Sequence, residues 1–275
     1  MEGDGAGNAA MDKTLTLADL RREIDRIDGA MHDLLMQRGE IIDRLIAVKR
    51  AQDGGSAFRP GREAAMMRAI VGRHRGLLPV DIVESIWRVI IATFTHVQAP
   101  YTVHGDTSLG SAAMRDVARF HFGFVVPYET HDDAGDVIGA VAASHGDLGL
   151  VPSIAPGAWW RALEGATAPK IIARLPFVMR ADHPAAMPTY VISRPVDEDA
   201  AVTDVRLVSV VLPEPEFALA EVLQRMDYLV EASAGATLLV ALTEGQTLEG
   251  LVEALPAAAD VTSVGSHAAP FHLQN

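Results

Sequence analysis

Arg38 falls on the apolar face of a long helical pattern. Residues 34–52 read LLMQRGEIIDRLIAVKRAQ, and Leu34, Ile41, Leu45 and Val48 share a face with Arg38. Lys49 lies eleven residues further on, three helical turns, and so points within about 20° of the same direction. Two long cationic side chains on one face can reach a single anionic ligand from above and below. Downstream, Arg62–Glu63 opens a second helical segment and Gln98 closes a third. Arginine grips carboxylates through paired N–H donors, lysine supplies a compact charge, and glutamine is a neutral donor. Such a set suits the holding and orienting of an anion and the stabilisation of charge as it develops. Taken singly, each residue has a plainer reading. Arg38 fits a polar register position or a snorkelling arginine, and Lys49 a cation in a last helical turn. The combination is more specific than any member.

The elements that must position these residues follow from the apolar periodicity. Leu17, Leu20, Ile24, Ile27, Met31, Leu34, Arg38, Ile41, Leu45 and Val48 repeat with spacing 3,4,3,4, a heptad seam. Thr16 and Asp19 resemble a capping box with Asp in place of Glu or Gln. The pattern predicts a helix from about 17 to 51, ended by Gly54–Gly55 and roughly 50 Å long. A second helix is expected from Pro60 to Gly76 and a third from near Pro79 to Gln98, stopped by Pro100. Two shorter helices cannot cover so long a seam, so a second copy of the chain is expected to do so, as an intertwined helical dimer. The alternative is a long helix packed on the rest of its own chain.

Composition bounds the rest. The chain has 275 residues, no Cys and 49% apolar residues. Disulfides and thiolate metal sites are excluded, and a reducing, cytoplasmic setting is expected. The opening MEGDGAGNAAMDK is small, polar and acidic; residues 1–14 read as a disordered lead-in rather than a secretory signal. No 18-residue apolar run points to a membrane span. The net charge of −13 is uneven, with +2 over residues 11–98 and −13 over 99–275. An acidic body argues against nucleic acid as a partner, and an anionic ligand would go to the N-terminal third.

From Tyr101 strands and helices alternate. YTVHGD, GFVVPYE, GDLGLVP, PKIIARLPFV and TYVISRP read as strands, and SAAMRDVARFHF, AGDVIGAVAAS and GAWWRALEG as helices, an α/β layer with a partly parallel sheet. From about Asp204 the order is βαββαβ, the ferredoxin-like split unit. Its elements are VRLVSVVL, EFALAEVLQRM, YLVEASA, ATLLVAL, TLEGLVEAL and DVTSVGSH. The expected division is 15–100, 101–195 and 196–275.

LADLRREIDRIDGAMHDLLMQRGEIIDRLIAVKRAQ, then RPGRE, then WRVIIATFTHVQ, resembles the all-helical chorismate mutases over about residues 15–100. Arg21, Arg38, Lys49, Arg62, Glu63 and Gln98 match that family's motif in order and spacing. The resemblance implies a dimer in which Arg21 reaches the partner's site. It implies chorismate as substrate and prephenate as product, with no cofactor or metal. Arg21, Arg38 and Arg62 would bind carboxylates, and Lys49 and Gln98 would donate to the ether oxygen. A protonated Glu63 would be a further donor or would bind the ring hydroxyl. Two positions depart from the family pattern: Arg59 replaces an Asp that would accept a substrate hydroxyl, and Phe94 replaces a small Ser.

SAAMRDVARFHFG and DDAGDVIGAVAASHGDLGLVPSI resemble the first part of a prephenate dehydratase domain. Ser153–Ile154 stands where that family has Glu-Asn-Ser, and Thr189–Tyr190 lacks the arginine of its Thr-Arg-Phe signature. Residues 101–195 are therefore expected to be a degenerate, inactive dehydratase-like domain; a bifunctional mutase–dehydratase and a regulatory binding protein are the alternatives. A pyruvate-releasing lyase on the same helical scaffold is a further one. The tail resembles amino-acid-binding (ACT-like) regulatory domains. Its Phe217–Ala218–Leu219 and Glu231–Ala232–Ser233–Ala234 depart from their Gly-Ala-Leu and Glu-Ser-Arg-Pro, and a Phe at the Gly position would block close backbone approach. The ten His residues are scattered without metal-ligand spacing. GDGAG at 3–7 follows no strand and is no phosphate loop. Trp159–Trp160 reads as a packing anchor.

Overall fold

The computed structural model describes residues 16–51, 58–196, 201–215 and 219–273, residues 49–51 by their backbone alone. The 1–14 lead-in, Gly54–Gly55 and Phe217–Ala218 thus lie outside the described residues. The chain divides into two compact units, Met1–Asp53 and Gly54–Asn275.

The first unit is helix α1, Leu17–Ala51. Its start is the reciprocal cap read from the sequence. The Asp19 N–H donates to Thr16 Oγ1 at 3.1 Å, and the Thr16 N–H donates to Asp19 Oδ2 at 3.0 Å. These bonds satisfy two donors that a helix start otherwise leaves unpaired. The Thr16 bonds hold the Asp19 carboxyl below its ordinary range. The seam stays open along its length: Leu17, Ile24, Met31, Leu34, Ile41 and Val48 are 44% exposed or more.

The second unit begins with α2 (Pro60–Arg73) and α3 (Val80–Gln98). Pro60 suits a first turn because its missing N–H would be unpaired there anyway. Helix α3 buries Glu84, Arg88, Ile91, Ala92 and Thr95, a single face at 3–4 spacing. That face meets the α/β layer, where Ala92 joins a core with Tyr101, Met114, Val117 and Leu148.

The layer comprises β1 (Val103–Asp106), α4 (Ser111–Phe122), β2 (Tyr128–His131), α5 (Ala134–Ala143), β3 (Leu148–Pro152), a 3-10 turn at Trp159–Leu163, β4 (Lys170–Leu175), β5 (Val178–Met179) and β6 (Thr189–Ser193). Strand β1 pairs in parallel with β2 and β3, and β6 runs antiparallel to β3 and β4. Three expectations shift. The strand expected at 123–129 starts only at Tyr128: Pro127 has no N–H for a ladder, and Phe124 and Val125 point to solvent. PKIIARLPFV is split at Pro176 into β4 and β5. GAWWRALEG is a five-residue 3-10 turn between Gly157 and Gly165, both at positive φ; a stretch that short closes no run of α-helical bonds. Trp159 and Trp160 are buried in the core of the layer.

The tail follows as β7 (Val205–Val211), α6 (Leu219–Arg225), β8 (Leu229–Ala234), β9 (Thr237–Leu242), α7 (Leu248–Ala254), β10 (Asp260–His267) and β11 (Phe271–His272). The order β10-β7-β9-β8 is antiparallel throughout, as a ferredoxin-like unit requires. It is not a free-standing sheet. β10 also meets β4, so all but β5 and β11 form one nine-stranded sheet, β2-β1-β3-β6-β4-β10-β7-β9-β8. The junction rests on Gly265. Its φ is +139°, and a Cβ there would lie 2.2 Å from the Ile171 carbonyl oxygen, so only glycine fits. Arg174 on β4 adds a second tie, pairing with Glu231 on β8 at 3.0 Å.

Candidate functional site

The six residues singled out above divide between the two units. On α1, Arg21 is exposed, Arg38 is half-buried, and Lys49 stands in the helix with its side chain outside the described residues. On α2, Arg62 is exposed and Glu63 half-buried. On α3, the Gln98 amide donates to the Phe94 carbonyl at 3.0 Å. Arg59 is the N-cap residue of α2 and makes no side-chain cap.

Glu63 is drawn into a built environment. Arg88 Nη1 lies 3.6 Å from Glu63 Oε2, and Arg88 Nε lies 3.9 Å from Glu84 Oε1. One buried cation therefore stands between two carboxylates. Glu84 is fully buried and receives His183 Nε2 at 3.4 Å. His183 Nδ1 accepts the Ala185 N–H at 3.0 Å, so the ring proton sits on Nε2 and points at Glu84. The His121 ring stacks on His183 at 6.1 Å between centroids, and neither of its nitrogens has a hydrogen-bond partner among the described residues. Burial holds the His121 imidazole well below its ordinary pKa, with Arg88 and His183 adding to the effect. It is neutral at pH 7.

Glu63, Arg88 and His121 line a cavity of about 70 Å³ with Phe58, Thr95, Tyr101, Arg174 and Phe177. That is room for a few water molecules, well short of the few hundred cubic ångströms of an ordinary small-molecule site. Burial raises the Glu63 carboxyl, and Arg88 opposes the rise. The same burial, with Glu63 nearby, pushes the Tyr101 phenol up. Glu63 is thereby biased toward its protonated, hydrogen-donating form.

Sequence reasoning did not single out Glu84, Arg88, His121 or His183. A signal was present for the first two. They stand four residues apart on the same face as Ile91, Ala92 and Thr95, where a charge needs a partner. His183 lies 99 residues from Glu84 and carries no local signal.

The α2–α3 hairpin carries a Glu63–Arg88–Glu84 chain, and the long helix α1 carries Arg21, Arg38 and Lys49, residue types that suit the gripping of an anion. Residues 20–99 match the family model for chorismate mutase type II. The chain thus carries a chorismate mutase type II domain, which is succeeded by a mixed α/β region. No curated protein matches the chain. Among solved structures, the X-ray structure of prephenate dehydratase from Streptococcus mutans covers 62% of this chain and 99% of its own, with TM-score 0.41 and 12% identity. A likeness that loose assigns no activity. No described helix is long and apolar enough to cross a membrane.

Proposed function

We propose that this chain is a homodimeric chorismate mutase, an isomerase that converts chorismate to prephenate. The observation that carries the proposal is the family match over residues 20–99, which spans all six candidate residues. The rearrangement is pericyclic. It needs no nucleophile, metal or proton transfer, only a folded substrate conformation and stabilisation of charge growing on the ether oxygen. Arg21, Arg38 and Arg62 are assigned to the substrate carboxylates, and Lys49 and Gln98 to the ether oxygen. Glu63, biased toward its protonated form by burial, is assigned as a further donor. The open seam of α1 supports a second copy as its cover, with Arg21 serving the neighbour's site. The small cavity beside Glu63 is not the substrate pocket. The α/β region is assigned a scaffolding or regulatory role.

Incubation of the full chain with chorismate, with identification of the product, tests this reading. Prephenate supports it. Phenylpyruvate formed without acid treatment would mean a working dehydratase in the C-terminal part, pyruvate would mean a lyase, and no turnover would leave a binding protein.

A further inference from the structure

His104 on β1 and His131 on β2 come together at the edge of the large sheet. Parallel pairing sets His104 opposite Glu129 and Asp106 opposite His131, so all four lie on one face. His104 Nδ1 lies 3.0 Å from His131 Nε2 and 3.7 Å from Glu129 Oε2. One ligand atom from each of His104, Glu129 and His131 falls within 4.8 Å of the others. On its far side, His104 Nε2 lies 3.2 Å from Asp147 Oδ2. Asp147 is itself held: its Oδ1 accepts the Thr102 N–H at 2.8 Å, and its own N–H donates to Ser144 Oγ at 3.1 Å.

The Asp147 carboxylate accepts, so His104 carries its proton on Nε2 and turns the Nδ1 lone pair toward His131 and Glu129. A carboxylate that fixes the tautomer and raises the basicity of a histidine is the usual outer partner of a metal-binding imidazole. Two nitrogens bound tetrahedrally to Zn²⁺ at about 2.0–2.1 Å stand about 3.3 Å apart. The two rings here need to part by only a few tenths of an ångström. His104 is buried, whereas Glu129 is exposed and His131 half-buried, so an ion has a way in from solvent.

We propose that His104 Nδ1, His131 Nε2 and the Glu129 carboxylate bind one divalent transition-metal ion of the zinc class, with Asp147 orienting His104 and water completing the coordination. Two imidazoles with one carboxylate select such an ion over Mg²⁺ or Ca²⁺, which take oxygen ligands. The site shares no residue with the set proposed for the mutase reaction. It departs from the expectation, drawn from the scattered histidines, that the chain takes no metal. Ion binding would pin the edge strand β2 to β1.

The full chain, freed of any purification tag and stripped with chelator, is titrated with Zn²⁺ against a chromophoric chelator. One equivalent is expected to bind, and excess Mg²⁺ not to displace it. His131→Ala and Glu129→Ala, both at the accessible edge, should weaken binding at least about tenfold, and Asp147→Asn by about 10- to 100-fold, with unchanged far-UV circular dichroism. Co²⁺ should give the intense visible bands of a four-coordinate site in wild type and lose them in His131→Ala. Binding weaker than millimolar, or equal affinity in wild type and His131→Ala, overturns the proposal. Should any variant misfold by circular dichroism, the Co²⁺ spectrum of the wild-type chain decides alone, and a six-coordinate spectrum counts against the site.

Discussion

Arg88 Nη1 lies 3.6 Å from Glu63 Oε2 and so ties a candidate catalytic residue on α2 to the buried face of α3. The same guanidinium serves Glu84, which is fully buried. Removing one partner of a buried ion pair leaves an uncompensated charge and costs about 3–5 kcal/mol. Arg88→Met is therefore expected to destabilise the chain by about that much in urea unfolding. The Arg88→Met/Glu84→Gln double variant should lose less than the sum of the two single losses. Strict additivity would mean that Arg88 and Glu84 are not coupled.

The open seam makes a separate claim. Ile24 is 56% exposed in the single chain, a position that a second copy would cover. Ile24→Asp puts a charge into that apolar interface, whose burial unpaired is unfavourable. Sedimentation velocity is expected to show wild type as a dimer and the variant shifted to monomer, with mutase activity falling in step. An Ile24→Asp protein that sediments like wild type would remove α1 from the interface.

His267 gives a pH dependence of defined sign. It is buried on β10, its Nδ1 donates to the Ala268 carbonyl, and burial lowers its pKa to about 4. The unfolded chain takes up that proton near pH 6.5, while the folded chain resists it until about pH 4. The stabilisation is whole above pH 6.5 and is lost as the pH falls toward 4, by about 3 kcal/mol at most. His121, also lowered, acts in the same direction. Urea unfolding between pH 7 and 4.5 should show stability falling with acid, and His267→Gln should flatten the fall. An equal slope in the variant would mean that His267 is not the group responsible.

Local order was legible where local signals set it. The span of α1, Leu17–Ala51, follows from an uninterrupted heptad pattern and a Thr16–Asp19 cap, and β10 coincides with DVTSVGSH. What could not be read depends on distant neighbours. The Glu84–His183 pair bridges 99 residues, and His104 meets Asp147 across 43. The merging of two expected sheets into one hangs on a single paired position, Gly265 with Ile171, which no periodicity marks. β2 starts at Tyr128, later than the strand-like composition of Val125–Val126–Pro127 suggests, because Pro127 cannot donate to a ladder.

The residues proposed for the mutase reaction carry signals in the sequence itself. Arg38 stands out as a cation in an apolar seam, Lys49 by its spacing of eleven residues from it, and Gln98 as the end of the third helix and through the resemblance to the chorismate mutases. Their joint role is the central claim, and Arg38 is its most exposed point. The decisive measurement is the rate of prephenate formation from chorismate by wild type and by Arg38→Ala, each checked for helicity. Loss of a two-point carboxylate contact is expected to lower kcat/KM by at least about 100-fold, equivalent to roughly 3 kcal/mol, with the helical signal retained. Near-normal turnover in Arg38→Ala, or no prephenate from the wild-type chain, would contradict the account.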